Sequence, residues 1–366
     1  MKYNIREIPN LLFHGRNGFS GDQVALFWSC SGMEMNWKGK DLFLDVETDY
    51  ELFEQWVSVV LNGTHIARFP LQKGRHTVPI LLNMNPEKIN HVEIIKDVQS
   101  QPTDDATCLI LHSIETDGAF LPIPEKSLKL EIIGDSITSA EGAIGAKDET
   151  DWLPFLFSAV RGYAYMTGQI LNADLRVLSE SGWGSLSSWD NDPKCALPLY
   201  YKQVCGTVGG QKNALLGAHE NNDFEKWNAN VVVINLGAND NSAFTQPPHV
   251  DPVTGESFQQ RHNEDGTKNA EDLARLQKAQ YDFLCTVRAC NPNAHILWCH
   301  GMLGNPLEEA IIETVNHFCA DTGDSKTEYF RLPNEPADGY GARFHPGLPM
   351  HKSAAKALSE KIASLL

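Results

Sequence analysis

EIIGDSITSAEG, residues 131–142, is the stretch on which the reading of the chain turns. The apolar run LKLEII (residues 128–133) stops at Gly134, and an acid and a hydroxyl, Asp135 and Ser136, follow at once. A buried strand that ends this way either closes on an ordinary turn capped by the aspartate or presents a serine at the rim of a sheet. Taken alone, Gly-Asp-Ser favours the turn. What surrounds it decides otherwise.

Downstream, three more strand-like runs recur: LRVLS (175–179), VVVINL (231–236) and HILWCH (295–300). Helical patterns lie between and after them. Leu276, Phe283, Leu284 and Val287 share one face of ARLQKAQYDFLCTV, and Ala354, Leu358, Ile362 and Leu365 share one face of the terminal segment. Apolar strands alternating with helices predict a parallel, three-layer α/β/α domain over residues 126–366. Two connections are long. Residues 185–230 are predicted to hold a helix of their own, and the polar, proline-bearing segment 241–270 reads as a cleft wall or lid.

Upstream, residues 1–125 follow a different grammar. Leu42, Leu44 and Val46 alternate with Phe43 and Asp45. In WVSVVLNGTHIARF, Asn62-Gly63 sits between two alternating runs, a strong hairpin signal because both turn residues must tolerate positive φ. HVEIIK (91–96) and CLILHSIE (108–115) add two strands, and no convincing helix appears. The prediction is a β-sandwich of the jelly-roll kind, joined at Pro122-Ile-Pro124 to the second domain and accessory to it.

Composition narrows the function. A net charge of −17 repels phosphate backbones and argues against nucleic acid. No apolar run approaches the ~18 residues of a membrane span. The eight cysteines are scattered without a CxxC, so neither a disulfide framework nor a zinc knuckle is expected, and no metal or organic cofactor is called for. With MKYNIREIPNLLF lacking a secretory pattern, a reducing cytoplasm fits. A homo-oligomer is compatible with this composition but has no residue-level signature.

In open α/β sheets ligands bind beyond the carboxyl ends of the strands. Gly134-Asp135-Ser136 follows the first strand, SESGWG (179–184) the second and GAND (237–240) the third, and GARFHPG (341–347) precedes the last helix. Each alone is a common turn; together they make chemical sense. A serine needs a base, and His345 is the one basic side chain of the set that accepts a proton near neutral pH. The backbone N–H groups of Ser136 and Gly182 and the Asn239 amide are candidate oxyanion donors.

The four blocks resemble the SGNH (GDSL-type) hydrolases, with Ser136, Gly182, Asn239 and His345 in the family's order over roughly residues 128–366. A preceding jelly roll makes the chain similar to carbohydrate esterase family 2, acetyl esterases acting on xylan and mannan. The resemblance implies an acetyl-enzyme on Ser136, His345 as general base and an acetylated xylo- or manno-oligosaccharide as substrate. The rivals are an esterase or thioesterase for another short acyl group and a catalytically weakened carbohydrate-binding protein. One feature departs from the family. The acid usually found three residues before the histidine is Ala342 here, and Arg343-Phe344 stands where Asp-Trp is common. Two groups remain to orient His345: the Asp338 carboxylate and a main-chain carbonyl. Trp183, Arg343 and Phe344 are candidates to line the cleft, though each fits core packing equally.

Overall fold

The Asn62-Gly63 turn closes with both residues at positive φ (52° and 77°) in the computed structural model, which describes residues 1–334 and 339–366. Trp56–Leu61 and Thr64–Pro70 thereby form an antiparallel hairpin. It is one edge of a six-stranded antiparallel sheet that also contains Gly32–Lys38 and Asn90–Lys96. A second six-stranded antiparallel sheet is built around Leu42–Asp49 and Cys108–Thr116. The apolar members of the alternating pattern meet between the sheets, where Met33, Trp37, Leu44, Val46 and Val59 are buried. This is the jelly-roll-like sandwich that the alternation predicts.

The last sandwich strand ends at Leu121, and the first parallel strand, Lys129–Gly134, begins eight residues on (129 − 121). The parallel sheet has five strands. Asp174–Ser179 lies on one side of Lys129–Gly134, and Val231–Asn235, His295–Gly301 and Thr327–Leu332 follow in turn on the other. The chain therefore reverses its direction of progress across the sheet beside Lys129–Gly134, which puts the switch point, and with it the crevice, at that strand. Ala270–Cys290 buries Leu276, Phe283, Leu284 and Val287, and Leu348–Ala363 buries Ala354, Leu358 and Ile362, as the periodicity predicts. Leu365 lies just beyond the helix end.

The long connections carry structure. Residues 185–230 hold a 3₁₀ turn, Leu197–Tyr200, and a short helix, Gln211–Leu215. Asn239 lies in a short helix, Ala238–Ala243, and the segment after it forms a small hairpin, His249–Val250 with Ser257–Phe258. Buried Asn191 pins it: its amide donates to the carbonyls of Ala243 (2.9 Å) and Pro247 (3.1 Å), and its oxygen accepts from Gln260 N–H (2.9 Å).

The two halves share their cores. Phe27 and Trp28 from the sandwich pack with Ile234 and Trp298 on one face of the parallel sheet, and Cys30 and Ile95 pack with Ile132 and Val233 on the other. Arg16 is buried against Glu131 (2.9 Å), whose second oxygen accepts from Tyr201 O–H (2.7 Å). A charge pair taken out of water is tolerated only where hydrogen bonds satisfy it. Here the guanidinium also donates to the carbonyls of Tyr201 and Gln203. All eight cysteines are free, and no helix among the described residues is long and apolar enough to cross a membrane.

Candidate active site

Parallel register assembles one side of the site. Gly134 stands opposite Ser179 on one neighbour and Asn235 on the other, so three strands end at one level. The residues just beyond them, Ser136, Gly182 and Asn239, leave the sheet at the same rim. The turn that carries Ser136 is closed by its own backbone. The N–H groups of Thr138 and Ser139 both donate to Asp135 O (3.0 Å), and Glu141 N–H donates to Ser136 O (3.0 Å). Beneath it Tyr163 O–H meets Thr138 Oγ1 (2.8 Å) and accepts from the Asn235 amide (3.2 Å).

The loop that carries His345 closes over this turn through Gly142. Its φ is +70°, and a Cβ there would lie 2.3 Å from Ala342 O and 2.8 Å from His345 Cβ. Only glycine allows that approach. His345 Nε2 then lies 2.8 Å from Ser136 Oγ, across 209 residues of sequence. His345 Nδ1 lies 3.1 Å from the Arg343 carbonyl. A carbonyl only accepts, so Nδ1 carries the hydrogen and Nε2 offers its lone pair to the serine. Asp338 lies outside the described residues.

Three N–H donors are expected at this rim, those of Ser136, Gly182 and Asn239. Among the described residues neither Ser136 N–H nor Gly182 N–H has an acceptor. The Asn239 amide donates to Trp183 O (2.9 Å) and makes a longer contact to Asp135 Oδ2 (3.3 Å). The Gly182 loop is clamped from two sides. Buried Asp240 accepts from Ser185 N–H (2.8 Å) and Leu186 N–H (2.9 Å), and Gln99 of the sandwich half accepts from Ser181 N–H (2.9 Å) and O–H (2.8 Å). Burial pushes the Asp135 carboxyl up to about 7 against the pull of Ile137 N–H, with the charges of Asp240 and Glu141 adding to the rise. Asp240 is raised in the same direction, chiefly by burial.

Of the two places the sequence leaves open for the aromatic of this loop, cleft and core, Trp183 takes the core. Trp183 is buried in the core against Tyr200 (5.4 Å between ring centres), because the φ of +82° at Gly182 turns the chain inward there. Trp189 is the exposed one, and its ring edge lies 3.1 Å from where a Gly182 Cβ would be. Arg343 also differs from a free cleft residue: its guanidinium bonds Glu141 (2.6 Å) and Thr150 O (2.9 Å). Phe344 is exposed beside His345. Sequence reasoning missed Trp189, Glu141 and Gln99. GAND and EIIGDSITSAEG contain Asp240 and Glu141, but nothing in either block says which polar neighbour its acid will meet.

A parallel sheet with this strand order, and Ser136, Gly182, Asn239 and His345 at its rim, is the framework of an SGNH-type hydrolase. No protein-family model matches the chain. The structure of an acetyl xylan esterase, Est2A, from the rumen bacterium Butyrivibrio proteoclasticus is 38% identical with a TM-score of 0.98, over 100% of this chain and 98% of that one. A family two carbohydrate esterase from Clostridium thermocellum, solved with cellohexaose, is 25% identical with a TM-score of 0.78, over 97% of this chain and 100% of that one. Among curated proteins, the cellulase/esterase CelE of Acetivibrio thermocellus is 26% identical over 98% of this chain, which spans 40% of that protein's length. The chain belongs to carbohydrate esterase family 2.

Proposed function

We propose that the protein is a serine esterase that removes O-acetyl groups from xylo- or manno-type oligosaccharides. The observation that carries this reading is the 2.8 Å contact between Ser136 Oγ and His345 Nε2, backed by the Nδ1 bond to a carbonyl. In the first half-reaction Ser136 Oγ attacks the acetyl carbonyl carbon as its proton passes to His345 Nε2. The oxyanion forms against the N–H groups of Ser136 and Gly182. The Asn239 hydrogen now held only by the 3.3 Å contact to Asp135 turns to it as third donor. The sugar hydroxyl departs with the proton from Nε2, and water hydrolyses the acetyl-enzyme by the reverse assignments. The Arg343 carbonyl holds the imidazole in the tautomer both halves require.

Trp189 supports a sugar as the alcohol, since its exposed ring stands beside Gly182 and an aromatic face suits a pyranose. Eight free thiols support a reducing compartment, where the substrate is a short oligosaccharide already taken up. The test is acetate release from acetylated xylo- and manno-oligosaccharides. Wild type turns over, and Ser136→Ala loses at least about 10⁴-fold in kcat. Sugar binding with no acetate release by wild type would overturn the esterase in favour of a binding protein.

A further inference from the structure

A histidine that acts as base needs its imidazole fixed, and the residue three positions before His345 is Ala342, a buried methyl. The acceptor at Nδ1 is instead the Arg343 carbonyl, and a loop carbonyl orients nothing unless it is itself held. Arg343 and the next residue, Phe344, both adopt left-handed backbone (φ 56° and 57°), which aims that carbonyl back at the ring of His345. L-residues resist this conformation, so it persists only where neighbouring contacts enforce it. Around Arg343 those contacts are specific. Its N–H donates to Glu149 O (2.7 Å), Nη1 donates to Thr150 O (2.9 Å), and Nε donates to Glu141 Oε1 (2.6 Å).

Glu141 belongs to the other side of the site. It lies on the nucleophile turn, bonded through its N–H to Ser136 O (3.0 Å), and its side chain is buried. A carboxylate taken out of water needs a cation, and Arg343 supplies it. The second oxygen, Oε2, lies 3.8 Å from His345 Nε2, the nitrogen that receives the serine proton. One ion pair thus joins the turn that carries the nucleophile to the residue whose carbonyl orients the base.

We propose that Glu141 and Arg343 are the positioning pair of this site. Their ion pair holds the Arg343 carbonyl on His345 Nδ1, and the free edge of Glu141 favours the imidazolium that forms at Nε2. Together they do the work of the acid missing at position 342. This rests on the reading of Ser136 and His345 as nucleophile and base. It also gives the Arg343 guanidinium a role other than touching sugar.

The pH dependence of kcat/KM separates this role from plain stabilisation, because the two variants move the acid limb in opposite directions. In Glu141→Gln a negative charge near Nε2 is gone, the imidazolium is less favoured, and the limb moves to lower pH. In Arg343→Gln the carboxylate is left uncompensated, and the limb moves to higher pH. Each variant is expected to lose about 10- to 100-fold in kcat with KM within about 3-fold. Arg343→Lys, which keeps the charge but not the fork, recovers part of the rate. The double variant costs no more than the worse single one. Arg343 is partly exposed, so its variants fold even where Glu141→Gln does not. Ser136→Ala is run alongside: turnover surviving there sinks the serine–histidine reading itself. If Ser136→Ala is dead, the pair is overturned by unmoved acid limbs, by a loss in Arg343→Gln confined to KM, or by Asp338→Asn costing 100-fold while the Arg343 variants cost less than 3-fold.

Discussion

Ser136 stands two residues beyond a strand whose neighbours on both sides are in register with it, whereas His345 stands in a loop between the edge strand Thr327–Leu332 and the last helix. The serine turn closes on backbone bonds of its own and stands on the Tyr163 hydroxyl. The histidine loop also closes on bonds of its own, Gly341 N–H to His345 O (2.8 Å) and Gly347 N–H to Gly339 O (2.7 Å), but it follows an edge strand. It carries two consecutive left-handed residues, each costing about 1–2 kcal/mol, and is held by contacts to the serine side: Ala342 N–H to Gly142 O (3.1 Å), and Arg343 to Glu141, Glu149 and Thr150. Ser136 is positioned by topology, and His345 by its own turn together with attachment to the Ser136 side. Damage to the attachment should therefore disable the enzyme without unfolding it.

Gly142→Ala is the most severe way to break that dependence. The new Cβ meets Ala342 O at 2.3 Å, and the φ of +70° adds a cost for any L-residue, so the histidine loop has to lift. A displacement near 1 Å at the reacting groups costs about 100-fold, and that is the fall expected in kcat. Melting temperature and kcat measured on the same preparation check it. A variant within 3-fold of wild-type kcat shows that the loop follows the turn without the close approach.

The serine side has a different weakness, its buried acids. Asp135 keeps its proton in the folded protein up to about 7 but loses it near 3.8 when unfolded. Between those values the native state binds the extra proton, so stability falls as pH rises from about 4 to about 7, with a slope of up to ~1.4 kcal/mol per pH unit, and is unaffected below that window. In Asp135→Asn this contribution disappears. Urea unfolding of both proteins at three pH values across the window, compared as a difference, measures it. A difference that does not change with pH would mean that Asp135 is ionised in the folded state throughout.

How much of this was legible in the sequence follows the same division. Alternation, Asn62-Gly63 and the helical faces of Leu276 and Leu358 report local geometry, and from them the sandwich and the parallel sheet could be read. Ser136, Gly182 and Asn239 were legible for a related reason: each follows a strand, and parallel strands that end together bring their following residues together. The histidine side is not encoded that way. That Arg343 meets Glu141 across 202 residues depends on how a loop folds back, and no period or spacing reports it. The same holds for Trp189. The sequence reading singles out Trp183 beside Gly182 and passes over Trp189, and only the direction of the turn decides that Trp183 is buried and Trp189 exposed. Gln99 is hidden more deeply, since the sandwich reads as a separate unit while its side chain reaches Ser181.

The mildest test concerns the strain in the histidine loop. Phe344 is 59% exposed, so removing its ring forfeits little packing, and its φ of 57° is one that glycine adopts freely. Phe344→Gly relieves about 1–2 kcal/mol of left-handed backbone, while the more flexible unfolded chain takes back about 0.5–1 kcal/mol. The expected net gain is below about 1 kcal/mol, a rise of about 1–2 °C in melting temperature for a chain of this size. The kinetics then sharpen the comparison between the two sides. If the Glu141–Arg343 attachment holds the carbonyl on His345, kcat stays within about 3-fold although the residue between them has become flexible. If kcat falls tenfold or more at constant KM, the stiffness of Phe344 is part of what aims the carbonyl, and the histidine side is positioned by its own backbone after all. A change confined to KM makes the ring a contact for the sugar and leaves the attachment intact.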